Sequence, residues 1–284
     1  MENYSTVIRS DSKGLHLHLR DVWKYRDLIV LFVKRSFVTQ YKQTILGPAW
    51  AIIQPLLTTV VFTVIFGNIA GLSAHGVPSF VFYLSGTFLW NYFASCLTGT
   101  ANTFINNRAI LGKVYFPRLV MPISNALSYL ITLGIQFIFF SCFLIYYVIV
   151  SDSVHPNWYA LMFPLLVIQM VFLGLGVGVI ISALTTKYRD LSMLITFGVQ
   201  IWMYATPIAY DMEAMSVFAF GGKYHALYMI NPVTSIVNIF RYGFLGIGRI
   251  EWLYYGISWV LTIILLLVGI IMFNKVERTF MDTI

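Results

Sequence analysis

Residues 43–107 read QTILGPAWAIIQPLLTTVVFTVIFGNIAGLSAHGVPSFVFYLSGTFLWNYFASCLTGTANTFINN, and not one of them is Asp, Glu, Lys or Arg. A helical crossing of a bilayer takes about 20 apolar residues, so a stretch of this length must cross more than once. It breaks at GLSAHGVPS (71–79), which leaves spans near 50–70 and 80–101. The same division downstream predicts spans near 119–150, 160–184, 192–210 and 252–274. Six helical spans are therefore expected. A β-barrel is excluded, because barrel strands alternate over about 10 residues and these runs do not.

Composition agrees with a membrane solvent. The chain is 59% hydrophobic, 17% aromatic and only 10% charged, with a mean hydropathy of +0.80. Charge is less than half that of an ordinary soluble domain. Cytoplasmic loops of membrane proteins carry the excess of Lys and Arg. With the N-terminus inside, 15 of the 18 basic residues fall on the inner side, and only Lys223, Arg241 and Arg249 lie outside. Both termini are expected to be cytoplasmic, with 1–49 as an N-terminal segment and 50–284 as the membrane domain with a short tail. No apolar core followed by a small-residue cleavage site opens the chain, so no signal peptide is expected. Cys96 and Cys142 fall inside spans and read as buried thiols rather than a disulfide framework.

The approach to the first span, VKRSFVTQYKQTILGPAW (33–50), reads as an amphipathic helix followed by a stop. From Asp21 to Tyr41 there is no Gly or Pro, and Lys24, Arg35 and Lys42 are spaced near whole turns. Its apolar run LIVLFV (28–33) is too short to span, yet suits a helix lying at headgroup level. Gly47-Pro48 ends that helix and starts the next. Residue chemistry leaves two roles open for it, an anchor on anionic lipid or a platform for a cytoplasmic partner.

Several functions are disfavoured by what is missing. Ion-coupled carriers usually keep ionisable groups within their spans, and no predicted span centre holds one. The five histidines, His16, His18, His75, His155 and His225, show no His-Glu-x-x-His spacing. Ser85-Gly86 resembles half of a serine nucleophile motif, but Tyr83 stands where the first glycine belongs, and it reads as helix packing. No phosphate-cradling loop is present, so nucleotide chemistry must come from another chain. The cytoplasmic loop NNRAILGKVYFPR (106–118), with Arg108, Lys113 and Arg118 around an apolar centre, is suited either to touch such a chain or to be a solvated basic loop. On the outer side, AFGGKYHALYMINPVTSIVNIFRYGFLG (219–246) is too polar to span and too apolar for a linker. Two short helices meeting at Asn231-Pro232 are predicted, a broken re-entrant pair between spans five and six, bordering a pathway.

As a set, the basic entry helix, Q-Y-K-x-T-x-L-G-P-x-W (40–50), the following Gln54-Pro55, the six spans and the late Asn231-Pro232 with Arg241 resemble the permease subunit of ATP-binding cassette polysaccharide exporters of the Wzm and TagG type. That resemblance implies an all-α fold in the bacterial cytoplasmic (inner) membrane. It implies a homodimer with two separate ATP-binding cassette subunits, which bind ATP and Mg, so that this chain carries no cofactor and no catalytic residue. Membrane lipid and a lipid-linked polysaccharide would be its other partners, and nucleic acid would not. The entry helix (21–43) would be the interface helix and 106–118 the coupling helix, with Arg35, Tyr41, Lys42, Arg108, Lys113 and Arg118 as contacts to the ATPase. Arg35 and Lys42 are also the first candidates for a lipid diphosphate.

The resemblance lines the channel chiefly with spans one and five. Sugar rings suit aromatic platforms with polar tips, which selects Trp50, Gln54 and Thr58 on the first and Gln200, Trp202, Tyr204 and Thr206 on the fifth. Asn231, Pro232 and Arg241 would form an outer gate. Three other readings stay open: a multispan enzyme on lipid-linked sugars, for which Asp190 and Asp211 are the only placed carboxylates, a structural or receptor-like membrane scaffold, and an exporter of a smaller lipid or drug.

Overall fold

The computed structural model describes residues 19–42, 44–71, 76–107, 110, 116–151, 153–185, 191–212 and 220–280, and among them every regular element is helical. Two short helices open it, α1 (Leu19–Lys24) and α2 (Arg26–Tyr41). Next comes α3 (Gly47–Ile69), which starts with a tight turn at Gly47–Ala49 and ends in a π-helical stretch, Thr63–Ile69. Then follow α4 (Ser79–Ala101), the single turn α5 (Thr103–Asn106) and the long α6 (Val120–Val150). The remainder is α7 (Trp158–Thr185), α8 (Leu191–Tyr204), α9 (His225–Met229), α10 (Pro232–Leu245) and α11 (Trp252–Phe280).

Helices stand at all six positions where spans were expected, but they are not alike. Four of them, α3, α6, α7 and α11, are long and apolar enough to cross a membrane. Helix α4 has the length, with 23 residues, yet carries Ser85, Thr87, Asn91, Ser95, Thr98 and Thr100. Its stretch 81–90 is buried throughout, so it meets protein instead of lipid and can be less apolar. Helix α8 has only 14 residues, a rise of about 21 Å against the roughly 30 Å of a hydrocarbon core. The regular helix expected to reach 210 stops at Tyr204 because Pro207 cannot donate to the helical ladder and biases the residue before it away from helix.

Small residues set the layering of the bundle. A Cβ on Gly178 of α7 would stand 2.6 Å from Cβ of Thr100, and one on Gly174 would stand 2.8 Å from Sγ of Cys96, both on α4. Gly176, between them, faces the other way, where a Cβ would lie 2.8 Å from the backbone nitrogen of Leu266 on α11. Helix α7 is thus the middle of a close-packed α4–α7–α11 layer, as small residues permit when helix backbones approach. Against it an aromatic cluster fixes α10: Phe137 stacks on Phe163 at 4.2 Å, and Phe140, Phe240 and Phe244 close around them. Cys96 is buried as expected, whereas Cys142 is exposed on α6.

The entry helix differs from its expected form. It is broken at Tyr25 and ends at Tyr41, and Lys42 already has extended backbone (ψ 134). The Thr44 hydroxyl donates to the freed carbonyl of Tyr41 at 2.8 Å, which terminates the helix before Gly47-Pro48 is reached. Lys42 therefore leaves the predicted basic stripe with Lys24 and Arg35. Gly47 supplies the reversal into α3 with φ 51, a conformation that glycine adopts without a Cβ penalty.

Candidate functional site

Among the described residues, a densely bonded polar cluster joins the end of α8 to α10. Arg241, on α10, is 4% exposed. Its Nε donates to Oγ of Ser85 at 3.2 Å, Nη2 donates to the carbonyl of Ile208 at 3.1 Å, and Nη1 donates to the carbonyl of Pro207. The guanidinium also lies 3.7 Å over the ring of Phe82. A buried charge costs several kcal/mol unless it is well bonded, and here each of the three guanidinium nitrogens donates a bond. Asp211 adds a favourable charge and shares with Arg241 a cavity of about 30 Å³. Gly86 makes room: a Cβ there would stand 2.9 Å from Nη2. Ser85-Gly86 is thus a seat for a cation, and the Ser85 hydroxyl itself donates to the carbonyl of Phe82.

Asn231 ties the same two elements at the start of α10. Its Oδ1 caps the helix, accepting from the Val233 N–H at 3.2 Å, and accepts from Nε1 of Trp202 at 3.1 Å. Its Nδ2 donates to Oγ1 of Thr206 at 3.0 Å and to the carbonyl of Ala205 at 3.3 Å. Pro232 occupies the first helical turn, where its missing N–H costs nothing. Its carbonyl accepts from Ser258 of α11, which in turn accepts from Nε2 of Gln169 on α7 at 2.6 Å. Trp202 packs edge-on against Phe93 of α4 at 5.1 Å. Beside it the Tyr210 and Tyr228 hydroxyls are hydrogen-bonded to each other.

The structure therefore merges two predicted groups. Trp202 and Thr206, expected on the pathway, are bonded directly to Asn231, and Arg241 clamps the turn that follows Thr206. Gln200 and Tyr204 are exposed on the outside of α8. Trp50 and Gln54 are exposed and Thr58 half-buried along one face of α3, four residues apart, turned away from the chain's own interior. Sequence reasoning missed Ser85, Gln169 and Ser258 as partners; a lone Gln within an apolar run was the available signal.

At the opposite end, the two expected contact elements meet. Phe32 of α2 packs 5.7 Å from Phe116, in a cluster that includes Val22, Phe104, Leu119, Val179 and Phe273. Arg35 is exposed on α2. Tyr41 is buried and its hydroxyl pairs with Thr132 of α6 at 3.2 Å, so it holds α2 to the bundle. Arg118 is 7% exposed at the foot of α6, and the packing of Phe116 and Leu119 beside it draws it inside instead of leaving it on a solvated loop. Arg108, Lys113 and Asp190 lie outside the described residues.

Residues 27–245 match the family described as ABC-2 type transporter. The chain belongs to the ABC-2 type transporter family. Its match begins within α2 and ends on the last residue of α10, so it includes both ends of the cluster around Arg241 and Asn231. This ABC-2 chain is also similar to two O-antigen export system permease proteins RfbA from Klebsiella pneumoniae. One is 29% identical over 257 residues, covering 90% of this chain and 94% of the relative, and the other 28% over the same shares. A protein of the same description from Myxococcus xanthus is 23% identical over 227 residues, covering 78% of this chain and 82% of the relative. As in the expectation from sequence, this ABC-2 chain is a membrane permease of the kind that resembles polysaccharide exporters.

Proposed function

We propose that this chain is the channel-forming subunit of an ATP-driven exporter that moves a lipid-linked polysaccharide out of the cytoplasm across the inner membrane. The observation that carries the reading is the nearly full-length likeness to permeases described as O-antigen export proteins. Two copies and two ATP-binding cassette subunits form the working assembly. Each copy crosses six times, with α9 and α10 as a re-entrant pair on the outer side and both termini cytoplasmic. ATP and Mg are bound by the partner subunits, and this chain supplies no covalent chemistry.

The geometry suggests a route for the motion. Nucleotide binding in the partners pushes on α2 and on the 106–118 segment, with Arg35 as the exposed contact. Tyr41 passes the movement to α6 through Thr132, and Gln136 of α6 passes it to α3 by donating to the carbonyl of Ala51 at 2.9 Å. At the outer end the bonds of Asn231 and Arg241 hold α8 against α10, and opening requires them to exchange partners. The nucleotide can shift this equilibrium only if its contacts differ between the closed and open arrangements.

Co-expression with an ATP-binding cassette subunit from the same source tests the reading. A stable complex whose ATP hydrolysis changes on adding lipid-linked polysaccharide is expected, with Arg35→Ala reducing that response while the chain stays folded. Failure of any such subunit to co-purify in several detergents and in lipid discs would overturn it.

A further inference from the structure

A groove of about 660 Å³ lies between the end of α8, α9, the start of α10 and α11. That is the size of a small-molecule site, but its wall is almost entirely apolar. Ala205, Leu227, Ile230 and Leu261 line it together with the rings of Trp202 and Tyr224, and Leu227 and Ile230 are 70% and 47% exposed. Three of the four polar side-chain tips on the same wall are already engaged. Trp202 donates to Asn231, Asn231 is bonded to Thr206 and Ala205, and Tyr228 is paired with Tyr210. A sugar would find ring faces here and few hydroxyl partners, so the chemistry fits hydrocarbon.

Depth and charge narrow the occupant. Leu261 lies nine residues into α11 from its exposed first residue, Trp252, and so about 14 Å deeper along the axis. A tryptophan at a helix end marks headgroup level, which puts Leu261, the groove's α11 wall, in the acyl region. Val260 and Ile264, exposed next to Leu261 on α11, put its open side toward the bilayer. At its upper rim the ammonium of Lys223 sits 5.5 Å from the ring centre of Tyr224, a lining residue. Lys is a point-charge partner for a phosphate.

We propose that this groove binds an anionic phospholipid of the surrounding leaflet, with one acyl chain between α9 and α11 and its phosphate at Lys223. The apolar wall takes the acyl chain, and the Lys223 charge favours an anionic headgroup over a neutral one. A filled groove braces α9 and the Asn231 turn against α8 and α11. The inference rests on the proposed function only in assigning this end to the outer leaflet.

Native mass spectrometry of the full chain in detergent, titrated with phosphatidylglycerol, tests it. One phosphatidylglycerol retained per chain is expected, with phosphatidylcholine weaker. Ala205→Trp, which fills the groove from an exposed position, is expected to lower retention about tenfold. Lys223→Gln should remove the preference for phosphatidylglycerol over phosphatidylcholine. As a second measurement on the unaltered chain, phosphatidylglycerol with a photoreactive acyl terminus should label peptides containing Leu227 or Leu261 and not the exposed Leu267 lower on α11. Retention unchanged by Ala205→Trp, labelling spread evenly over α11, or displacement of phosphatidylglycerol by equimolar undecaprenyl phosphate would each overturn the proposal. A chain that retains lipid but binds no ATPase would sink the exporter reading and leave the groove standing.

Discussion

Arg241 and Gly86 form a pair in which one residue's size is set by the other's charge. The guanidinium needs Ser85, Pro207 and Ile208 at once, and a Cβ on Gly86 would press on Nη2 at 2.9 Å. Gly86→Val is expected to destabilise the chain by about 1–3 kcal/mol, the range for overpacking, seen as a lower midpoint of thermal unfolding in detergent. Arg241→Met in the same chain should recover part of that loss, because neighbouring sites couple. Additive effects would mean that the two do not share the space. Sequence alone marked both residues, Gly86 as a packing residue and Arg241 as a gate, but their contact spans 155 positions and no local pattern encodes it.

Among elements, α3 shows how a proline is accommodated within an apolar helix. Pro55 has no N–H, so the carbonyl of Ala51, four residues earlier, loses its helical donor. Gln136 of α6 supplies a replacement at 2.9 Å while itself buried. Within hydrocarbon an unmatched carbonyl finds no water, which accounts for a glutamine in a helix otherwise rich in Ile, Leu and Phe. Gln136→Leu is expected to cost about 1–3 kcal/mol, and Pro55→Ala in the same chain should restore most of it by returning the backbone donor. If the double variant is no more stable than Gln136→Leu, the side chain acts elsewhere. At the inner end, Phe32→Ala should cost about 3–5 kcal/mol and expose α2 to proteolysis before the rest of the chain, since Phe32 packs against Phe116 and is, with Tyr41, one of the two buried residues of α2.

For the whole molecule, the proposed motion separates the end of α8 from the start of α10. The Asn231 amide donates to the Thr206 hydroxyl at 3.0 Å, so the two side chains meet across this junction and a cysteine pair there probes whether it must open. Thr206→Cys with Asn231→Cys, once oxidised, is expected to block export in vesicles by at least about tenfold and to leave ATPase binding intact, with reduction restoring transport. Export that continues with the disulfide formed would show that this junction does not open. Lys223→Gln and Ala205→Trp act on the lipid groove beside it and should alter the oxidised and reduced forms alike.

The helical class, the place of the apolar helices and the break at Asn231-Pro232 were legible in sequence, because hydropathy and proline act locally and leave their pattern in consecutive residues; that, among the described residues, four of those helices and not six are long and apolar enough to cross a membrane was not. The family was legible too, through motifs that keep their spacing. Tertiary structure alone decided that α4 faces protein, that Arg118 and Tyr41 are buried, and that Trp202 and Thr206 bond to Asn231 rather than standing apart from it. Those outcomes depend on which faces of separate helices meet. That choice is set by glycine-scale packing and by the need of buried polar atoms for partners far along the chain.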